Sequence, residues 1–340
     1  MAVEPEVTHW LPVHPSMLPG ESLSSWLVRT AHANGLKVET FCHHLFGLQR
    51  PVWNRDIDRL GPEWLIATMA KVTPMTVEQI RRGTLALYEG KLFKQIRHSG
   101  INPGILPLLT YHRRYRGHGI QYCPLCLQQD ERPYFRLAWR IAYYTFCPHH
   151  MVMLRDECHV CGAGVAFHRI EQGRPERRDV ETLAECWNCG ADLRQAPIEP
   201  ITPWIRGSFE RWRKLLLNIE NGFHNGGAVD YYAFALVRQL CRIMLGNRRL
   251  PSFYFYICQR TGQPPWPRER FSPHVLEMNS IAVRHHLIAM AWWLLGRGKS
   301  KLAHALAIGE LHRSQLTRDL RYSPVEPPRR VRYLLEGSQK

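Results

Sequence analysis

Two sets of four metal-ligand residues, each complete in sequence order, constrain this chain more than any other feature. Cys123 and Cys126 form a CxxC, and after twenty intervening residues Cys147 and His150 form a CxxH. Cys158 and Cys161 form another CxxC, joined after 24 intervening residues by Cys186 and Cys189. Each pair places two donors on one tight turn. Two such turns close a tetrahedron with no open position, which is the coordination of a structural zinc ion. Gly162 and Gly190 directly follow the second cysteine of their knuckles, where left-handed backbone is expected. Two structural Zn2+ ions are therefore expected. Spacing alone leaves open which knuckles pair and whether His149 replaces His150, although the CxxH match to CxxC favours His150. A thioredoxin-like redox pair calls for an isolated CxxC near a βαβ unit, and a catalytic zinc calls for a missing ligand. Four knuckles with full ligand sets fit neither. Cys42, Cys241 and Cys258 lie on apolar faces and are expected to be core thiols.

Around this cysteine-rich stretch the chain reads as helical. Ser22 caps a helix with Leu23, Trp26, Leu27 and Ala31 on one face, ending at Asn34–Gly35. A second helix carries Val38, Phe41, Cys42, Leu45 and Phe46 and stops at Gly47, so the pair resembles a helix-turn-helix. Pro62 suits the first turn of a helix over Trp64–Ala70. Thr76 and Gln79 form a capping box for a helix expected to reach about Leu87. Beyond the proline-punctuated stretch Pro197–Pro203, helices are predicted over Ser208–Asn218, Tyr231–Leu245 and Ser280–Leu295. Lys299–Leu320 reads as helix, glycine turn at Gly309, helix. With 340 residues, of which 45% are hydrophobic, a sizeable core is available. The fold class expected is mainly α with small zinc-ribbon-like β elements. Its parts would be an N-terminal helical, helix-turn-helix-like unit over 1–119, a tandem zinc module over 120–196, and a C-terminal helical, helix-turn-helix-like domain over 197–340.

Forty-five Lys and Arg against 29 Asp and Glu leave a net charge of +16, which favours a polyanionic partner. The excess is uneven. Residues 1–80 hold six basic and eight acidic side chains, residues 81–119 eight and one, residues 284–332 ten and three. The N-terminal helices are thus poor phosphate binders by charge. The run Tyr111-His112-Arg113-Arg114-Tyr115-Arg116 interleaves cations with rings that can stack on bases, making Arg113, Arg114 and Arg116 candidate DNA contacts. In the C-terminal helix pair, Arg313, Gln315 and Arg318 are candidates to face a groove. The longest apolar run, Ile288–Leu295, is far short of the ~20 residues that cross a bilayer. Together with Glu4 and Glu6 and no apolar leader, this gives a cytoplasmic expectation with no membrane partner. Gly296-Arg-Gly298-Lys299-Ser300 mimics the end of a P-loop, but Trp293 stands where the first glycine belongs and the preceding segment reads as helix. The adjacent pairs His43–His44 and His285–His286 point in different directions on a helix. No catalytic triad or spaced carboxylate set stands out, so no enzymatic activity is expected.

A family resemblance adds to this reading. Pro19-Gly20-Glu21-Ser22, Ser25-Trp26-Leu27, Arg29 and Asn34-Gly35 resemble the opening of TniQ-family transposition proteins. Tyr122-Cys123-Pro124-Leu125-Cys126, then Pro133-Tyr134, Trp139, Cys147, His150, Leu154, Cys158 and Cys161-Gly162, resemble that family's zinc region. The resemblance spans roughly residues 10–195; the rest is only loosely similar to the helical region of TniQ and TnsD proteins. It implies a non-catalytic target selector that recruits a TnsC-like AAA+ ATPase to target DNA, acting as a homodimer. Such a protein either rides on a CRISPR Cascade complex with its guide RNA or reads an attachment site itself, as TnsD-like members do. It also implies a partner-binding surface around Trp26 and Arg29. The alternative is a freestanding zinc-containing, sequence-specific DNA-binding regulator.

Overall fold

Ser22 has extended backbone and accepts the Ser25 N–H with its hydroxyl in the computed structural model, as a helix cap requires. The structure describes residues 10–111, 114–172, 182–201, 206–223, 231–246, 252–272, 275–296, 299–308 and 315–316. Among them are eleven α-helices and one pair of two-residue strands, so the protein is mainly helical. Two compact units emerge. The first gathers Met1–Leu87, Leu106–Ile141 and His149–Glu199, and the second Tyr88–Ile105, Ala142–Pro148 and Pro200–Lys340. No helix among the described residues is long and apolar enough to cross a membrane.

In the first unit, α1 (Leu23–Ala33) buries the predicted face completely, and α2 (Val38–Phe46) buries all five of its predicted apolar residues. They end at Asn34 and Gly47, as the sequence indicates. A single turn, α3 (Ile57–Leu60), is capped by Asp56 and was not legible in the sequence. α4 (Glu63–Val72) follows Pro62. α5 (Val77–Arg81) begins with the expected capping box, the Thr76 and Gln79 side chains each accepting the other's backbone N–H. It does not run on to Leu87. The Gly83 carbonyl accepts the Leu23 N–H at 2.8 Å, holding the chain against the start of α1. A Cβ at Gly83 would stand 3.0 Å from that same nitrogen, so the helix breaks where the backbone must come closest.

Strands β1 (Thr110–Tyr111) and β2 (Arg114–Tyr115) pair antiparallel, Thr110 opposite Tyr115. At the base of this hairpin Gly117 and Gly119 lie against Pro107, and an added Cβ would meet the Pro107 carbonyl oxygen at 2.4 and 2.6 Å. Backbone cannot yield as a flexible side chain does. Gly119→Ala is therefore expected to cost about 1–3 kcal/mol, the usual penalty of forcing extra atoms into a packed site. Urea denaturation reads it, and an unchanged midpoint would contradict the close approach. The unit closes with α6 (Pro124–Gln129), which begins on Cys123 as its N-cap with Pro124 at the first helical position. Of the β elements expected over 120–196, the described residues show only single bridges: Tyr122–Arg155, Glu157–Gly164 and Glu185–Asp192 within the stretch, and Glu21–Arg136 out of it. Each knuckle closes within a few residues, leaving no length for a ladder.

The second unit holds α7 (Arg206–Glu220), α8 (Tyr231–Leu245), α9 (Ser252–Thr261), α10 (Ile281–Leu294) and α11 (Lys299–Ile308). α10 is buried on nearly every side and packs on α7 and α8, while α9 packs on α11. Buried Arg284 on α10 donates to the Asn279 and Ala142 carbonyls, and Trp212 of α7 donates to Tyr143 O. α9 was missed by the sequence reading. Its Phe, Tyr and Ile content favours strands, yet Phe253, Tyr254, Ile257 and Cys258 share a helical face and are buried. The Gly309 turn expected in the C-terminal helix pair lies outside the described residues, whereas Gln315 and Leu316 are helical.

Candidate metal centres

The first ligand set assembles as the spacing suggests. Donor atoms of Cys123, Cys126, Cys147 and His150 all lie within 4.8 Å of one another. His150 Nδ1 is 3.5 Å from Cys123 Sγ and 3.4 Å from Cys126 Sγ. A tetrahedral ion with ordinary Zn–S and Zn–N bonds would separate such donors by about 3.6 Å. His150 is the histidine that the fold brings into this cluster. His150 Nε2 donates to Gln129 Oε1 at 2.8 Å, which fixes the tautomer and turns the Nδ1 lone pair toward the sulfurs. Gln129 was not picked out from the sequence. Its signal is its position three residues after Cys126 on the same helix, one turn from the ligand. Met151 follows His150 with φ +55, a left-handed conformation that costs a non-glycine residue roughly 1–2 kcal/mol.

The second set pairs Cys158 and Cys161 with Cys186 and Cys189, so the knuckles join within each set and not across sets. Cys158 Sγ lies 3.7 Å from Cys189 Sγ, and Cys161 Sγ 3.6 Å from Cys186 Sγ. These separations exclude disulfides and match the edge of about 3.8 Å expected for a tetrahedral zinc thiolate. The knuckles are built alike. Cys158 N–H donates to Ala163 O and Gly162 N–H to Cys158 O; Cys186 N–H donates to Ala191 O and Gly190 N–H to Cys186 O. Gly162 and Gly190 have φ of +69 and +79. A Cβ at Gly162 would meet nothing within 4 Å, so the conformation and not the space demands glycine there. Val160 N–H and the Asn188 side-chain amide point at Cys158 and Cys161 sulfurs and would stabilise thiolates. Both four-ligand clusters can thus hold a metal ion, with every position of the tetrahedron filled by protein.

The other cysteines stand apart. Cys42, Cys241 and Cys258 are buried. Burial, with the Glu39 charge adding to it, pushes the Cys42 thiol up to about 12, so it stays protonated and inert. The paired histidines diverge as expected. His285 Nδ1 sits 2.9 Å from the Thr145 hydroxyl among Phe146, Phe209 and Trp212, while His286 meets the Tyr254 hydroxyl and stacks on Trp266. The P-loop look-alike follows α10, a helix where a nucleotide site needs a strand.

The candidate surface residues fall in different places. Arg114, Arg116 and Tyr111 are exposed on the hairpin, with the Arg116 guanidinium 4.0 Å above the Tyr111 ring. Tyr115 turns the other way, against His168. Gln315 is exposed, and its backbone carbonyl accepts from Gln239. Arg113, Arg313 and Arg318 lie outside the described residues. Trp26 is 0% exposed, its indole N–H bound to Pro15 O, so it is a core residue with no surface to offer a partner. The Arg29 side chain is 11% exposed and holds Glu21 with two nitrogens, Nε at 2.9 Å and Nη2 at 2.8 Å.

One charged cluster was missed by the sequence reading. Arg140, 1% exposed, spends all its N–H groups on Asp56, Asp58, Gly119 O and Leu106 O. Asp58 also accepts the N–H and hydroxyl of Ser24. The guanidinium fills the space between the carboxylates, so this is an internal ion triad and not a cation site. Comparison with family models matches residues 12–154 to the TniQ family. That span contains α1 to α6 and the first ligand set, and it ends before the second. No curated protein matched the chain.

Proposed function

We propose that this chain, which matches the TniQ family over residues 12–154, is a non-catalytic target-selection adaptor for DNA transposition. It links target DNA, or a target-recognition complex such as Cascade with its guide RNA, to a TnsC-like AAA+ ATPase in the cytoplasm. The TniQ match carries this reading, since it makes the chain a transposition-associated protein. Two structural Zn2+ ions hold the cysteine-rich stretch over 120–196, between helical domains over 1–119 and 197–340. Both ligand sets are complete, which leaves no open metal position for hydrolysis. DNA contact falls to Arg113, Arg114 and Arg116 on the hairpin and to Arg313, Gln315 and Arg318 near the C-terminal end. The working form is a homodimer.

The test is retention of the ATPase on target DNA with and without this protein, alongside assays for ATP hydrolysis and strand cleavage by the protein alone. Retention that depends on the protein, with no chemistry of its own, is expected; metal-dependent cleavage would defeat the proposal. DNA affinity should fall steeply with salt, each neutralised phosphate adding about −0.9 to the log–log slope. Arg114→Ala with Arg116→Ala should flatten that slope by roughly two. A protein that binds one DNA sequence tightly yet never retains the ATPase would be the freestanding regulator, the second reading that the exposed Tyr111–Arg116 stack supports.

A further inference from the structure

A cleft of about 220 Å³ opens in the first unit, walled by Pro15, Pro133 and Leu183, with Arg29, His32 and Arg132 along it. That volume suits a side chain and its neighbours better than a whole cofactor, since small-molecule pockets run to ~300 Å³ and above. Its charges are unequally compensated. Glu21 neutralises Arg29, and Glu171 Oε1 lies 2.6 Å from His32 Nε2. Burial alone would raise Glu171, but the close His32 ring and the hydrogen bond from the Val38 N–H hold it below the usual carboxylate range. Glu171 thereby ties the end of α1 to the start of α2 and fixes that wall. Arg132 is exposed and makes no ion pair or hydrogen bond among the described residues. Among the described residues Arg29 Nη1 meets no acceptor, while its other nitrogens, fixed on Glu21 and Ser16 O, hold the guanidinium plane in place.

We propose that this cleft receives an acidic side chain from a protein partner, its carboxylate lying between Arg29 Nη1 and Arg132. Two guanidinium groups, one held in place and one exposed at the rim, suit a planar carboxylate. Nucleic acid fits less well. Of the described residues that line it, Arg132 is the one uncompensated cation, and the apolar walls close on a space too small for a continuous sugar-phosphate backbone, whose binding draws on several cations together. The inference rests on the adaptor reading, and identifies where that adaptor grips a partner.

The full chain is titrated with a fluorescein-labelled hexaglutamate peptide and its hexaglutamine counterpart, with a 20-base-pair duplex as competitor. The wild type should bind the glutamate peptide at least tenfold more tightly than the glutamine one. Arg132→Gln should lower that affinity about fivefold, and Arg132→Lys should recover part of it. Arg132 makes no internal bond, so its variants should fold; Arg29→Ala would instead strand buried Glu21. Equal binding of the two peptides, or an Arg132→Gln variant indistinguishable from wild type, would overturn the proposal. So would a duplex that displaces the peptide and itself loses affinity in the variant. ATPase retention on DNA separates the two readings. If the wild type retains it and Arg132→Gln retains it equally, the cleft assignment falls and the adaptor stands. Arg132-dependent peptide binding without ATPase retention leaves the cleft and removes the adaptor.

Discussion

Serine in place of Cys186 is expected to remove one of two metal equivalents and unfold the stretch around the second centre. The four sulfurs lie within 4.8 Å of one another, and the Cys158–Cys189 and Cys161–Cys186 pairs stand at 3.7 and 3.6 Å, near the zinc-thiolate edge. Among the described residues the other ties at the knuckles are few and local: single β-bridges, two backbone bonds each, and the Trp187 indole N–H on Gly164 O. Structural zinc contributes on the order of 10–16 kcal/mol of apparent folding free energy in small domains, as much as or more than the ~5–15 kcal/mol that a whole domain retains. Metal analysis should give two zinc ions in the wild type and one in the variant, and limited proteolysis should open residues 158–196. Cys126→Ser should do the same at the first centre. Cys42→Ser, at a buried thiol outside both sets, should keep both metals. Wild-type protein purified without chelator and containing no zinc would refute the assignment.

Arg140→Met should destabilise the first unit by about 3–5 kcal/mol, because it leaves two carboxylates buried without their cation. Asp58 already shows the strain. Burial raises it to about 6 despite the neighbouring Arg140, with Asp56 adding to the rise. Its folded-state value therefore lies above that of the unfolded chain, and the folded protein takes up the proton first as pH falls. This group's contribution to stability thus increases as pH drops through about 6 and is lost as pH rises. Without Arg140 the rise is larger, so the gap between variant and wild type should narrow from pH 7 to pH 5. Urea midpoints at both pH values decide it. A loss below ~1 kcal/mol at pH 7, or a gap that widens at pH 5, would show that the triad is solvated.

The same triad shows where sequence reading stops. Asp56 and Asp58 are separated from Arg140 by 84 and 82 residues, and nothing in their local pattern distinguishes them from surface charges. Trp26 and Arg29 belong to the stretch read as resembling the TniQ opening, yet they are a buried indole and a guanidinium locked on Glu21, so neither is a plain contact surface. The cleft beside Arg29 draws its walls from three stretches far apart in the chain.

What the sequence determined by itself is what operates over a few residues. The four knuckles, the glycines after Cys161 and Cys189, the caps at Ser22 and Thr76 and the stop at Gly47 all stand as read. A cap bonds three residues along and a knuckle closes over four, so their chemistry is written in adjacent letters. Tertiary structure alone decided the end of α5, the helical state of α9, the hydrogen bond from His150 to Gln129 and the burial of the Arg140 triad. Those outcomes depend on desolvation and on partners brought close by folding, and a contact across eighty residues leaves no mark in the local order of side chains.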